Sequence, residues 1–148
     1  MKKIIALAAL FITVLTTTSF ANEIEEANGA VRAAFRNDFQ HAKIIGTEVR
    51  KTFTKLTFIM NGTVQFAFYS HTGDLLAVTR NILSTQLPPA LQTNLKKDFS
   101  SYWISELFEL ESNGLSTYYI TIENADTRLT LRSNDDEVWE VYEKTSKQ

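Results

Sequence analysis

The chain has 148 residues, a formal net charge of −2 and 44% apolar side chains. That is enough apolar material for one compact domain or two small joined ones, and the mildly acidic balance argues against nucleic acid as a partner, because phosphate binding needs a basic face. There is no cysteine, which excludes disulfides, thiolate catalysis, Cys-ligated metals and lipid attachment through an N-terminal Cys.

Met1-Lys2-Lys3 is a short positive segment, Ile4 to Leu15 is apolar, and Ser19-Phe20-Ala21 ends in small-x-small. This three-part pattern predicts a secretory signal peptide over 1–21, cleaved after Ala21. The apolar run is shorter than the roughly 20 residues that a spanning helix needs. The mature chain is therefore expected to begin near Asn22, to carry no membrane span, and to work in the periplasm or outside the cell.

Residues 23–39 read as an amphipathic helix, with Ile24, Ala27, Val31, Ala34, Phe35 and Phe39 at helical spacing and Asn22 as a suitable N-cap. Short strands follow at 43–50, 52–60, 63–70 and 75–81. Asn61-Gly62 is a strong hairpin signal, since both central residues of a type I′ turn need positive φ. His71-Thr72-Gly73-Asp74 makes the next turn. A second helix starts at Leu87-Pro88-Pro89, where proline's missing N–H costs nothing, and Leu91, Leu95 and Phe99 mark its buried stripe. Strands follow at 101–111, 115–123, 127–133 and 137–144, with turns at Asn113-Gly114, Asn124-Ala125-Asp126 and Ser133-Asn134-Asp135-Asp136.

Shifted against itself, the chain repeats its helix-then-strands order. At an offset of 60, Val31 meets Leu91, Phe35 meets Leu95 and Phe39 meets Phe99. At an offset of 63, Phe66 meets Leu129, Phe68 meets Leu131 and Leu76 meets Trp139. What repeats is apolar period and turn position, and the reading is a signal peptide (1–21) followed by two helix-plus-four-strand units, 22–83 and 84–148. The strands alternate apolar and polar, so one face of each should be buried and the other wet. The fold class predicted is α+β: a tandem repeat of helix plus four-stranded antiparallel meander, with both helices on one face of the sheet.

The order of motifs resembles the PepSY-like, beta-lactamase-inhibitor-like secreted proteins of Bacteroidota. The matching stretches are Val31-x3-Phe35-x3-Phe39, Asn61-Gly62, Tyr69-x3-Gly73-Asp74-Leu75-Leu76, Leu87-Pro88-x2-Leu91-x3-Leu95-x3-Phe99 and Tyr118-Tyr119-Ile120. The resemblance covers nearly all of the chain after the signal peptide. It implies a curved sheet backed by helices and a protein-binding or inhibitor-like role, and it carries over no functional residue. The usual glycine of the last turn is replaced here by Asp135-Asp136.

Catalytic sets are not visible. His41 and His71 are the only histidines, and neither Gly-x-Ser-x-Gly nor a Gly-rich phosphate loop occurs. No enzyme activity, cofactor or metal is expected. Asn134-Asp135-Asp136-Glu137 offers oxygen ligands but lacks the spacing of a calcium loop, and reads better as a solvated turn. Glu106, Glu109 and Glu111 could hold a carboxylate pair, although alternating charges on a strand are ordinary. If Phe66, Leu129 and Leu131 point toward the helices, then Tyr69, Trp103, Tyr119, Arg128, Arg132 and Tyr142 point away from them. Trp, Tyr and Arg dominate binding hot spots, because each joins large buried area to a polar handle. This set is the candidate binding site for a protein partner, or alternatively for a small ligand or glycan. The plainer reading is strand formers packing across neighbouring strands.

Overall fold

The computed structural model describes residues 27–134 and 137–147. The expected signal peptide over 1–21, Asn22 and the turn residues Asp135 and Asp136 lie outside them. Helix α1 (Gly29–Asp38) is followed by β1 (Lys43–Val49), β2 (Thr54–Met60), β3 (Thr63–Tyr69) and β4 (Leu75–Asn81). A 3-10 turn (Ser84–Gln86) leads to α2 (Pro89–Asp98), then β5 (Trp103–Ser112), β6 (Leu115–Glu123), β7 (Thr127–Ser133) and β8 (Glu140–Ser146). The eight strands form one antiparallel sheet in sequence order. The two halves join where β4 pairs with β5, from Val78 opposite Glu111 to Asn81 opposite Phe108.

Turn chemistry behaves as the sequence predicts. Asn61 and Gly62 have φ of 52° and 77°, and Asn113 and Gly114 have 54° and 74°, the positive pairs that a type I′ hairpin requires. The first helix begins later than its apolar stripe suggests. Asn28 is the N-cap, its Oδ1 accepting from the Val31 N–H at 2.9 Å. Its Nδ2 donates to the His71 carbonyl at 3.0 Å, so one side chain both starts α1 and fastens it to the β3–β4 turn. Pro88 and Pro89 stand at the N-cap and first position of α2. That helix is fastened to its own last hairpin, with Trp139 Nε1 donating to the Leu91 carbonyl at 3.0 Å and Asn94 Nδ2 to the Glu137 carbonyl at 2.6 Å.

Residues directly opposite in an antiparallel pair share a face of the sheet, so register assigns every side chain. Under α1 lie Leu56, Phe58, Ala67 and Tyr69, packed with Val31 and Phe35. Under α2 lie Leu107, Ile120, Ile122, Leu129 and Leu131, packed with Leu91. The opposite face carries a third apolar cluster made of Phe53, Phe68, Ala77, Phe108, Leu110 and Tyr119, with no described helical residue in it. Both helices therefore pack on one side, as expected. The registry of the repeat is different from that expected, however. Phe66 and Phe68 lie on the face opposite Leu129 and Leu131, and Ala67 and Tyr69 take the helix side instead.

Each half contains two register shifts. They fall between Ile44 and Gly46 and between Phe68 and Tyr69 in the first half, and between Ile104 and Glu106 and between Thr130 and Leu131 in the second. Each such bulge bends and twists its strand.

Two predictions follow from this packing. Gly73 has φ +93°, and a Cβ there would stand 3.0 Å from the Ala30 carbonyl oxygen, whereas one on Gly62 meets nothing within 4 Å. Gly73→Ala should therefore cost about 2–3 kcal/mol and Gly62→Ala about 1 kcal/mol in urea denaturation; equal losses would contradict the seating of α1 on the β3–β4 turn. Tyr69 is fully buried and donates to Asp38 Oδ2 at 2.8 Å. Tyr69→Ala should cost about 3–5 kcal/mol, and Tyr69→Phe no more than about 1.5 kcal/mol, because only the hydrogen bond is lost.

Candidate functional site

The face away from the helices holds every residue of the sequence-derived set except Tyr69. That tyrosine lies beneath α1, fully buried, with its ring in the helix-side cluster. The cause is the one-residue registry error noted above: moving a strand by one position sends its whole set to the other face. Burial, with the bond to Asp38 adding to it, raises the Tyr69 hydroxyl far above its ordinary pKa, in keeping with a structural phenol.

Trp103, opposite Glu123, is 53% exposed. Lys147 Nζ sits 4.9 Å above its ring and 2.6 Å from Glu123 Oε2. Arg128 stands opposite the same Glu123, its Nε 3.9 Å from Oε1, beyond hydrogen-bond reach. Hydrogen bonds from Lys147 and then Ser105 hold the Glu123 carboxyl below the usual range. Glu106, opposite Thr121, is on this face too, and burial raises its carboxyl although Arg128 and Thr121 act the other way. A cleft of about 650 Å³ lies here, lined by Asn81, Ser105, Glu106 and Arg128 among others.

Further across the face, Tyr119 is only 3% exposed. Its ring stacks on Phe108 at 5.1 Å and meets Tyr142 edge-on at 5.8 Å. Arg132 lies 5.5 Å over the Tyr142 ring and 3.1 Å from Glu140. For Tyr119, then, packing across neighbouring strands accounts for the aromatic, while Trp103 and Arg128 remain accessible. On the far side of the sheet's centre, Lys55 is buried over the Phe66 ring at 4.9 Å and paired with Glu48 at 2.9 Å. Two buried polar atoms, Thr79 Oγ1 and Arg132 Nε, have no hydrogen-bond partner among the described residues, and both belong to residues on this face. Buried polar groups are normally paired; both atoms are sealed beneath neighbouring side chains, out of reach of a group resting on the face.

The remaining candidates separate. Glu109 and Glu111 lie on the helix side, away from Glu106, and Glu109 is held by Arg80 at 2.7 Å. His71 Nε2 is 3.2 Å from the Lys51 carbonyl and takes part in a turn. His41 follows α1 with φ 67°. No group of three metal-ligating side chains occurs among the described residues; the Asn134–Glu137 turn falls partly outside them. Lys147 and Thr79 went unrecognised in sequence, and Glu106 was grouped with Glu109 and Glu111 rather than with this face. The alternation of Glu106 with Phe108 and Leu110 was the available signal, but the bulge before Glu106 conceals which face that alternation uses.

Burial pushes the Tyr119 hydroxyl up to about 12, with Arg132 pulling in the opposite direction. An unfolded tyrosine ionises near pH 10. The neutral ring therefore supports the fold fully below that pH, and the support is lost as pH rises toward 12. Stability measured between pH 10 and 12 should fall less steeply in Tyr119→Phe than in the parent; identical slopes would contradict the stacked, buried placement.

No family model matches the chain, and no curated protein does. Solved structures do. A DUF2874 family protein from Bacteroides uniformis superimposes with TM-score 0.71 at 13% identity, covering 82% of this chain and 90% of that one. A protein assigned provisionally to the periplasm of Bacteroides eggerthii gives 0.71 at 13% identity, over 82% and 89%. A BLIP-like protein from Bacteroides fragilis gives 0.69 at 14% identity, over 82% and 86%. At these identities what is shared is the fold: an α+β, beta-lactamase-inhibitor-like arrangement of an eight-stranded antiparallel sheet and two helices.

Proposed function

We propose that this chain is an exported, non-enzymatic binding module that holds a partner protein against the face of its sheet away from the helices, in the manner of an inhibitor. The observation that carries this reading is the shared face of Trp103, Tyr119, Arg128, Arg132 and Tyr142. Trp103 and Arg128 supply the accessible anchor and the guanidinium fork; Tyr119 and Tyr142 supply the rigid floor beneath. The signal-peptide pattern at 1–21 supports export, and the fold shared with a BLIP-like protein and with one assigned to the periplasm is consistent with it. Among the described residues no helix is long and apolar enough to cross a membrane.

The same reading treats 22–83 and 84–148 as duplicated units of a PepSY-like, beta-lactamase-inhibitor-like protein. Its support is positional. The bulges after Ile44 and Ile104 fall at corresponding places, as do those before Tyr69 and Leu131. A pairing that keeps faces together sets Ala67 with Leu129 and Tyr69 with Leu131, one residue from the sequence-derived match.

A second reading, small-ligand or glycan binding, is favoured by the cleft beside Arg128 together with the exposed Trp103 ring, on which a sugar could stack. One experiment tests both. Crosslinking in the native envelope with the parent chain should capture a protein, and the combined Trp103→Ala, Arg128→Ala, Tyr142→Ala variant should lose that capture at least tenfold, in round numbers, while melting within a few degrees of the parent. Unchanged capture by the triple variant would overturn the surface assignment. Glycan-array binding lost in Trp103→Ala, with no protein captured, would select the second reading.

A further inference from the structure

The helix-side packing is unequal in the two halves. In the first, Phe35 of α1 and Phe39, which caps its C-terminus, meet Phe58 of β2 in an aromatic cluster, with ring centroids 5.2, 5.1 and 4.7 Å apart. The corresponding seats in the second half are Leu95, Phe99 and Ile122. Leu95 follows the fully buried Leu91 by four positions, as Phe35 follows the fully buried Val31. Ile122 stands opposite Ile104 just before a bulge, as Phe58 stands opposite Ile44. Two phenylalanines are thus matched by a leucine and an isoleucine. Leu95 is only partly buried where Phe35 is fully buried, Phe99 is partly buried as Phe39 is, and a pocket of about 280 Å³ lies between α2, the 3-10 turn and the start of β5.

Its interior is formed by Leu95, Phe99, Tyr102, Ile104 and Ile122. Tyr102 meets Phe99 edge-on at 6.1 Å, which fixes one wall. The 3-10 turn makes another. It is held by Gln86 Oε1 accepting from the Leu83 N–H at 2.8 Å and by Gln92 Nε2 donating to the Leu87 carbonyl at 2.8 Å. Ile104 is 45% exposed. Lys96 also borders the space, and among the described residues no carboxylate pairs with it.

We infer that this pocket binds a medium-length aliphatic chain ending in a carboxylate. An apolar space with a wetted opening gains from displacement of its water by alkyl groups. The last turn of a helix repels an anion through its free carbonyls, and Lys96 and Lys97 in that turn of α2 offset this. The ammonium of Lys96 then takes the carboxylate head as a point charge. Shared aliphatic chemistry admits two sources, a free fatty acid or the acyl chain of a bilayer lipid.

The probe is octanoate, titrated calorimetrically into the purified chain below micelle-forming concentrations, with octanol and acetate alongside. Octanoate should bind saturably, octanol about tenfold more weakly and acetate not at all, with Lys96→Ala reducing octanoate to the octanol level. Leu95→Phe, which restores the side chain of the first half, should abolish binding and raise the melting temperature. Ile104→Asp changes an exposed position and should exclude the carboxylate with the fold intact, so a misfolded Leu95→Phe does not end the test. Absence of saturable octanoate binding by the parent, binding left unchanged by both Leu95→Phe and Ile104→Asp, or binding left unchanged by Lys96→Ala, would overturn the inference. Sedimentation with phosphatidylglycerol vesicles that is lost in Ile104→Asp assigns the bilayer as the source; octanoate binding without sedimentation assigns the free acid.

Discussion

A ten-residue helix is about 15 Å long, and eight strands set side by side at about 4.8 Å span more than twice that. One such helix cannot cover one side of this sheet. Each of the two helices, ten residues apiece, instead sits on the strands that follow it and is fastened there by its own last hairpin. Asn28 performs that fastening in the first half, and Trp139 with Asn94 in the second. Both the enclosed cores and the uncovered face follow from this division of labour.

The division leaves the seam between β4 and β5 without a helix above it. On the helix side the seam is polar, with Gln65, Arg80, Glu109 and Glu111 around a small gap. On the other side it is apolar, with Phe66, Phe68, Ala77, Phe108 and Leu110 packed across strands. The polarity of the sheet is therefore inverted at its centre relative to its two helix-covered wings. Strand-to-strand packing of large side chains, with a fully buried Phe68, is what makes the uncovered face rigid. A rigid aromatic floor with exposed charge and one exposed indole at its end costs little to order on binding.

That inversion also explains what the sequence made legible and what it hid. Turns were readable because Asn-Gly pairs and prolines act locally through φ. Strand order was readable because short turns permit only antiparallel neighbours. The start of α1 was misplaced because an apolar period continues past a cap, whereas Asn28 sets where the helix begins through one hydrogen bond. The facing of β3 was misread because size stood in for burial. Phe66 and Phe68 are larger than Ala67, yet the small residue lies beneath α1 and the large ones fill the uncovered side. The bulges shift the alternation by one residue, and nothing in composition marks them. Arg128 and Arg132 were legible because they alternate directly with Leu129 and Leu131 along β7, whereas Trp103 and Tyr142 reach the same face across bulges that the sequence does not mark.

The two tryptophans distinguish the sides most directly, since Trp103 belongs to the uncovered face and Trp139, 9% exposed, is locked under α2. Hydroxyl-radical footprinting of the folded chain, read residue by residue, should show rapid oxidation at Trp103 and strong protection at Trp139 and Tyr69. Protection of Trp103 equal to that of Trp139, or ready oxidation of Tyr69, would contradict a sheet covered by helices on one side alone.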